Sequence, residues 1–197
     1  MGVDPAERSA YDTIDWSVLP EGLPVPEDDG AADHLPGQRV PPIALASTSG
    51  DTVTLATLPG RTILYAYPAA GESMPPEWDL IPGARGCTPE ACGFRDHDAD
   101  LRAAGADRVY GLSAQAGDIQ RWLVERYHLP FQILSDAAFE LTDALRLPTF
   151  EFEGRRLLKR VTLVLDDGVI SHVFYPIFPP DKHASEVVGW LRAHPRG

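Results

Sequence analysis

The sequence predicts an α/β fold, a central mixed sheet flanked by helices, on three observations. Strand-like and helix-like segments alternate from Val40 to the C-terminus. Asp166-Asp167-Gly168 separates two apolar runs, as a hairpin turn does. Apolar residues make up 44% of the 197, enough for one substantial core. In chain order, residues 52–55 follow the turn at Ser49-Gly50-Asp51 and read as a short strand. Residues 62–67 (TILYAY) are β-branched and aromatic, bounded by Pro59-Gly60 and Pro68, and read as a buried strand. Residues 68–86 collect Pro68, Pro75, Pro76 and Pro82 with Gly71, Gly83 and Gly86, and form a long loop of the kind that often carries function. A helix is expected from Cys87 to about Ala104, with Pro89 in the first turn, Glu90 at the positive dipole end, and Ala91, Phe94 and Leu101 on one face. Residues 108–113 form a strand, and Ile119, Trp122, Leu123 and Tyr127 mark a helix. A strand at 131–134 and a short helix at 137–145 follow. Residues 160–165 and 169–175 pair across the Asp-Asp-Gly turn, and a last helix spans about 181–193.

Residues 1–34 read as a separate acidic, Pro-rich arm preceding a domain at 35–197. Residues 1–35 carry nine acidic side chains against the single base Arg8, and the whole chain has a formal charge of −12. A surface that acidic repels phosphate backbones, so nucleic-acid binding is disfavoured. No run of 18 apolar residues is present to span a membrane. The N-terminus lacks a basic and then apolar signal pattern, so a cytoplasmic location is expected. Trp16 and Leu19 are the side chains able to pin the arm to the domain.

The chemistry centres on the only two cysteines, Cys87 and Cys92. They are too few for a disulfide scaffold, and the loop they would close is too small to stabilise much. Redox chemistry explains the pair better. A thiol at a helix start faces unsatisfied backbone N–H groups and the positive end of the dipole, which favour the nucleophilic thiolate. Attack on a peroxide O–O bond leaves a sulfenic acid, with which a nearby thiol condenses to a disulfide. Residues five apart in an intact helix have Cα atoms roughly 8–9 Å apart, whereas a disulfide needs them within about 7 Å. A Cys87–Cys92 bond therefore requires the first turns to unwind.

Other readings are open at this point. Two free cysteines serve equally as small buried hydrophobes. A copper chaperone would combine Cys87 and Cys92 with a distant histidine such as His172, although a thiolate zinc site wants four ligands. His97 reads as a surface residue of the cysteine helix. No phosphate-binding glycine loop or Ser-His-Asp set is visible.

The run Gly86-Cys87-Thr88-Pro89-Glu90-Ala91-Cys92-Gly93-Phe94-Arg95-Asp96 closely resembles the peroxidatic segment of the peroxiredoxins. Within that alkyl hydroperoxide reductase and thiol-specific antioxidant family it is similar to the Q-type, or bacterioferritin-comigratory-protein-like, subgroup, whose pattern is G-C-T-x-E-A-C-x-F-R-D. The likeness extends from Leu35-Pro36-Gly37 through Tyr110-Gly111-Leu112-Ser113, Leu134-Ser135-Asp136 and the Arg160-Val161-Thr162-Leu163 strand to His183-Ala184-Ser185-Glu186, about residues 35–193. The resemblance implies a thioredoxin-like fold and a thiol-dependent peroxidase acting on hydrogen peroxide or organic hydroperoxides. It implies that Cys87 is peroxidatic, that Cys92 resolves it as an intramolecular disulfide, and that Arg160 stabilises the thiolate and the peroxide oxygens. It places Thr88 and Gly86 at the substrate and calls for no metal or organic cofactor. A thioredoxin-like or other dithiol would be the reductant, and the protein would be a monomer or homodimer. One departure stands out. The family's loop carries Pro-x3-Thr-x2-Cys, the Thr hydroxyl bonding the peroxide, whereas counting back from Cys87 gives Ala84 and Leu80. Thr88 or a backbone N–H is then expected to bind the peroxide, with Pro82 as a shifted shield, and loop 69–85 reads as expanded by Pro75-Pro76 and Trp78. A redox sensor or partner-binding module of weak activity on the same fold is the alternative.

Overall fold

A computed structural model describes residues 15–196. Its strands are β1 (Ala44–Ser47), β2 (Thr52–Thr54), β3 (Arg61–Ala66), β4 (Arg108–Ser113), β5 (Gln132–Ser135), β6 (Thr149–Phe152), β7 (Arg155–Leu158), β8 (Val161–Asp166) and β9 (Val169–Phe174). Its α-helices are α1 (Cys87–Asp96), α2 (Asp98–Ala103), α3 (Gly117–Tyr127), α4 (Glu140–Leu145) and α5 (His183–Ala193). Seven strands form one sheet in the order β2-β1-β5-β4-β3-β8-β9. The central pairs β3–β4 and β4–β5 are parallel, while β8 and β9 add antiparallel strands on one side and β1 and β2 on the other.

Every residue of β3 is buried, as a strand covered on both faces must be. Its side chains alternate: Ile63 and Tyr65 enter one core with Phe94, Leu101 and Val187, while Leu64 and Ala66 enter the other with Leu112 and Leu141. Phe94 of α1 stacks on Tyr65, ring centroids 4.4 Å apart. That contact fixes the helix against the sheet and so sets the position of its first residue.

Three local expectations are corrected. The single helix expected over 87–104 is two, broken at His97 (φ −102°, ψ 9°), whose ring Nδ1 lies 3.0 Å from the Gly93 carbonyl oxygen and competes with the regular ladder. His97 is accordingly half-buried rather than a plain surface residue. Arg160 precedes β8 rather than opening it. The hairpin β6–β7 was not foreseen, because its turn is Glu153-Gly154, both at positive φ, rather than the Asn-Gly or Asp-Gly that signals such turns.

The segment expected as an arm is described from residue 15; residues 1–14 lie outside the described residues. Residues 15–34 run over the domain. Trp16 is buried against Arg85, and Asp29 accepts hydrogen bonds from Lys159 at 2.6 Å and from the Tyr175 hydroxyl at 2.7 Å. Among the described residues no helix is long and apolar enough to cross a membrane.

Candidate active site

Cys87 is the first residue of α1. The chain reaches it through Gly86, which sits at φ 107° as the helix N-cap. A side chain at Gly86 would also meet Pro180 at 2.4 Å and Leu19 at 2.8 Å, so only glycine fits. The result is a thiol at a helix mouth, 4% exposed.

A cation reaches it from the neighbouring strand. Arg160 Nη2 lies 3.3 Å from Cys87 Sγ and 3.1 Å from the Ala84 carbonyl oxygen, and Arg160 Nε donates to the Gly83 carbonyl at 3.3 Å. Arg160 Nη1 donates to Glu90 Oε2, one turn along α1, and both side chains are almost wholly buried. Glu90 thus holds the guanidinium in place across the face of the helix. Burial is the largest influence on Cys87 and pushes its thiol up; the Arg160 guanidinium and a backbone hydrogen bond from Ala69 pull it down. Burial likewise pushes the Glu90 carboxyl up, against the pull of Arg160 and then His183. The helix mouth and the guanidinium expected to favour a thiolate both adjoin Cys87, but desolvation, which sequence could not weigh, outweighs them and leaves the thiol raised.

Cys87 lines a cavity of about 10 Å³, with Thr88, Ala69, Arg85, Trp78 and Trp16 among its other walls. That is close to the least space that holds one water-sized molecule, ~10–15 Å³. Glu72 is another wall; it accepts from Gln115 Nε2 at 2.8 Å and pairs with Arg155 at 2.8 Å.

The Redoxin family profile matches residues 35–189. The chain is 33% identical over 159 residues to a chloroplastic peroxiredoxin Q of Sedum lineare, covering 80% of this chain and 77% of that one. It is 34% identical over 160 residues to a putative peroxiredoxin bcp of Coxiella burnetii, covering 79% and 97%. The chain belongs to the Q-type peroxiredoxins. It is accordingly a thiol-dependent peroxidase, an oxidoreductase. Its fold is similar to the crystal structure of peroxidoxin BcpB from Mycobacterium tuberculosis, with a TM-score of 0.67, 28% identity, and coverage of 83% of this chain and all (100%) of that one.

In this peroxiredoxin, Cys87, Arg160, Thr88 and Gly86 come together, as expected. Cys92 does not join them: it lies five residues along the same intact helix, half-buried, and both thiols are free. Counting back from Cys87 places Ala84 at the thiol but misplaces the shield. Leu80 is 74% exposed and shields nothing, and Pro82 borders a different cavity, behind Arg160. Both ends of the loop meet at Cys87: Ala84 is buried, its carbonyl oxygen accepting from the thiol at 3.6 Å, Ala69 lines the cavity, and the extra residues bulge out between. Sequence reasoning missed Glu90 as the partner of Arg160, Arg85 as a wall of the cavity, and the stacking of Trp16 on Arg85 at 4.1 Å. Glu90 carried a helix-dipole signal and a place in the family pattern, neither of which points to Arg160, and nothing in the sequence pairs Trp16 with Arg85. Cys87, Cys92 and His172 do not assemble: among the described residues no group of three or more His, Cys, Asp or Glu side chains is placed to hold a metal.

Proposed function

We propose that Cys87 attacks the peroxide and Cys92 resolves the product. The single observation behind this reading is the buried Cys87 sulfur with the Arg160 guanidinium 3.3 Å away. A buried cation beside the sulfur favours thiolate and steadies charge on the peroxide oxygens. The peroxide's near oxygen bonds to sulfur, the O–O bond breaks, and the thiol proton ends on the departing oxygen as water or an alcohol. The sulfenic acid on Cys87 then condenses with the Cys92 thiol, releasing water. Both cysteines lie in α1, so this second step requires its first turns to unwind, since helical residues five apart are ~8–9 Å between Cα atoms. A thioredoxin-like or other dithiol reduces the disulfide and lets the helix reform. Thr88 and Gly86 border the substrate, and residues 1–34 act as an arm added to the catalytic domain at 35–197. Hydrogen peroxide and organic hydroperoxides are the substrate class, and the cytoplasm the place of action.

Mass spectrometry after one equivalent of peroxide tests this. Wild type is expected to lose two hydrogens as a Cys87–Cys92 disulfide. Cys87→Ser is expected to show neither that change nor turnover with a thioredoxin system, and turnover at the wild-type rate would remove Cys87 from the mechanism.

A further inference from the structure

We propose that Arg85 is a second peroxide-binding residue, its Nε donating to the oxygen that departs when Cys87 attacks. The proposal rests on the reading of Cys87 as the nucleophile. Arg85 and Cys87 line the same cavity, about 10 Å³, and Arg85 is 9% exposed. Its guanidinium is held from two sides. Nη1 donates to Asp79 Oδ1 at 3.3 Å, and the Trp16 ring centroid lies 4.1 Å from the guanidinium carbon. Nε, by contrast, is buried and has no hydrogen-bond partner. A buried donor left without an acceptor is costly, and one carried by a residue that lines a cavity together with Cys87 calls for a missing acceptor. A peroxide oxygen in the cavity supplies it.

Thr88, which lines the cavity from the start of α1, is a neighbouring hydroxyl on the substrate side, and Arg160 is committed to the sulfur and its surroundings. Arg160 gives Nε to Gly83, Nη1 to Glu90, and Nη2 to the Ala84 carbonyl, the Arg85 carbonyl and the sulfur itself. Those bonds position it for the sulfur and the oxygen that bonds to it. Ala84 offers no side-chain donor. Arg85 lines the cavity from the loop, and Arg160 approaches the Cys87 sulfur from the residue before β8, so the two cations come to Cys87 from different elements.

The step balances as Cys–SH + ROOH → Cys–SOH + ROH. A sulfur electron pair forms the S–O bond as the O–O pair leaves with the second oxygen, which takes up the thiol proton; sulfur is oxidised by two electrons and the peroxide reduced by two. Arg85 keeps its proton throughout. Its N–H···O bond strengthens as charge gathers on the departing oxygen, which is where a fixed donor lowers a barrier. Trp16 is a positioning residue that keeps the guanidinium plane from turning away.

The test follows Cys87 oxidation by hydrogen peroxide in rapid mixing, with alkylation of the same thiol by iodoacetamide as the control. Alkylation needs the thiolate but places no charge on an oxygen. Arg85→Met is expected to slow oxidation on the order of 10- to 100-fold, within reach of the loss of one charge-stabilising donor. Alkylation is expected to change less than about 2-fold, because Arg160 still faces the sulfur. Oxidation at the wild-type rate would overturn the proposal. So would equal losses in both reactions, which would place Arg85's effect on the thiol or on the fold. Should Arg85→Met not unfold cooperatively, Arg85→Gln is judged by the same two rates. Wild-type Cys87 that alkylates readily but never oxidises would instead remove the Cys87 reading itself.

Discussion

Two cavities flank the 83–86 segment, and they differ in a way that runs against size. The larger, about 320 Å³, lies behind Arg160 and is walled by Pro26, Ile81, Phe150, Ile177, Lys159 and Tyr175. Its polar groups are largely spent on one another: Asp29 takes both the Lys159 ammonium and the Tyr175 hydroxyl. The smaller, about 10 Å³, is lined by Cys87 and by Arg85, whose Nε is unpartnered, with Arg160 reaching the Cys87 sulfur from behind. A large apolar hollow is ordinarily the first place to look for a ligand. On the proposed reading, the unused hydrogen-bonding capacity, and not the volume, marks the reacting site.

The comparison breaks most directly at Arg160, which lines the large cavity and reaches the sulfur of Cys87, a wall of the small one. Arg160→Met is expected to lower the rate of Cys87 oxidation by roughly 10²–10³-fold, as loss of a principal charge-stabilising group does. It also strands the Glu90 carboxylate, which is 0% exposed, and removal of one member of a buried pair costs about 3–5 kcal/mol. Thermal unfolding checks the second effect. With the guanidinium's downward pull on Cys87 gone, the pH midpoint of iodoacetamide alkylation is expected to move up. A variant with wild-type oxidation kinetics would leave the small cavity without its defining cation.

Cys92 borders neither cavity, which sharpens the contrast between the first chemical step and the second. Cys92→Ser is expected to leave the first oxidation of Cys87 within about 2-fold of wild type. Steady-state turnover with a thioredoxin-type reductant is expected to fall about 10-fold or more, because the sulfenic acid has no internal thiol to condense with. Single-turnover and steady-state peroxide consumption separate the two.

The smallest effect is expected at the rim of the large cavity. Asp29 carries its carboxyl at about 2, below the ordinary carboxylate value, chiefly through its bond from Lys159 and then that from Tyr175. A carboxyl lowered by folding stabilises the protein above its unfolded-state pKa and loses that contribution as the pH falls through the folded one. The window therefore runs from about pH 4 down to about pH 2. Because the pair is surface-exposed and screened, Asp29→Asn is expected to cost less than about 1 kcal/mol at neutral pH and to flatten the acid limb of stability in that window. Peroxide oxidation should be unchanged. A loss of oxidation rate in Asp29→Asn would show that the large cavity serves the reaction after all.

Much of this architecture was legible in the residues, and the reason is range. The buried strand at 62–67, the helix opening at Cys87, the hairpin at Asp166-Asp167-Gly168 and the pair of thiols are settled by propensity, periodicity and turn chemistry within about ten residues of chain. The run around Cys87 and Cys92 also carried its family resemblance locally. The Glu153-Gly154 hairpin escaped because an unusual residue occupies a position that usually announces the turn.

What the sequence determined by itself, then, is that a thiol stands at a helix start at the end of a Pro- and Gly-rich loop. Only the tertiary structure decided what that thiol meets. Arg160 lies 73 residues away in sequence and reaches the sulfur because β8 pairs with β3, the strand that leads into the loop. Glu90 becomes the anchor of Arg160, Trp16 covers Arg85, and the extra loop residues carry Leu80 out to solvent, all through the same packing. Burial itself, the force that raises the thiol against its cation, is a property of the assembled chain and of no short stretch of it.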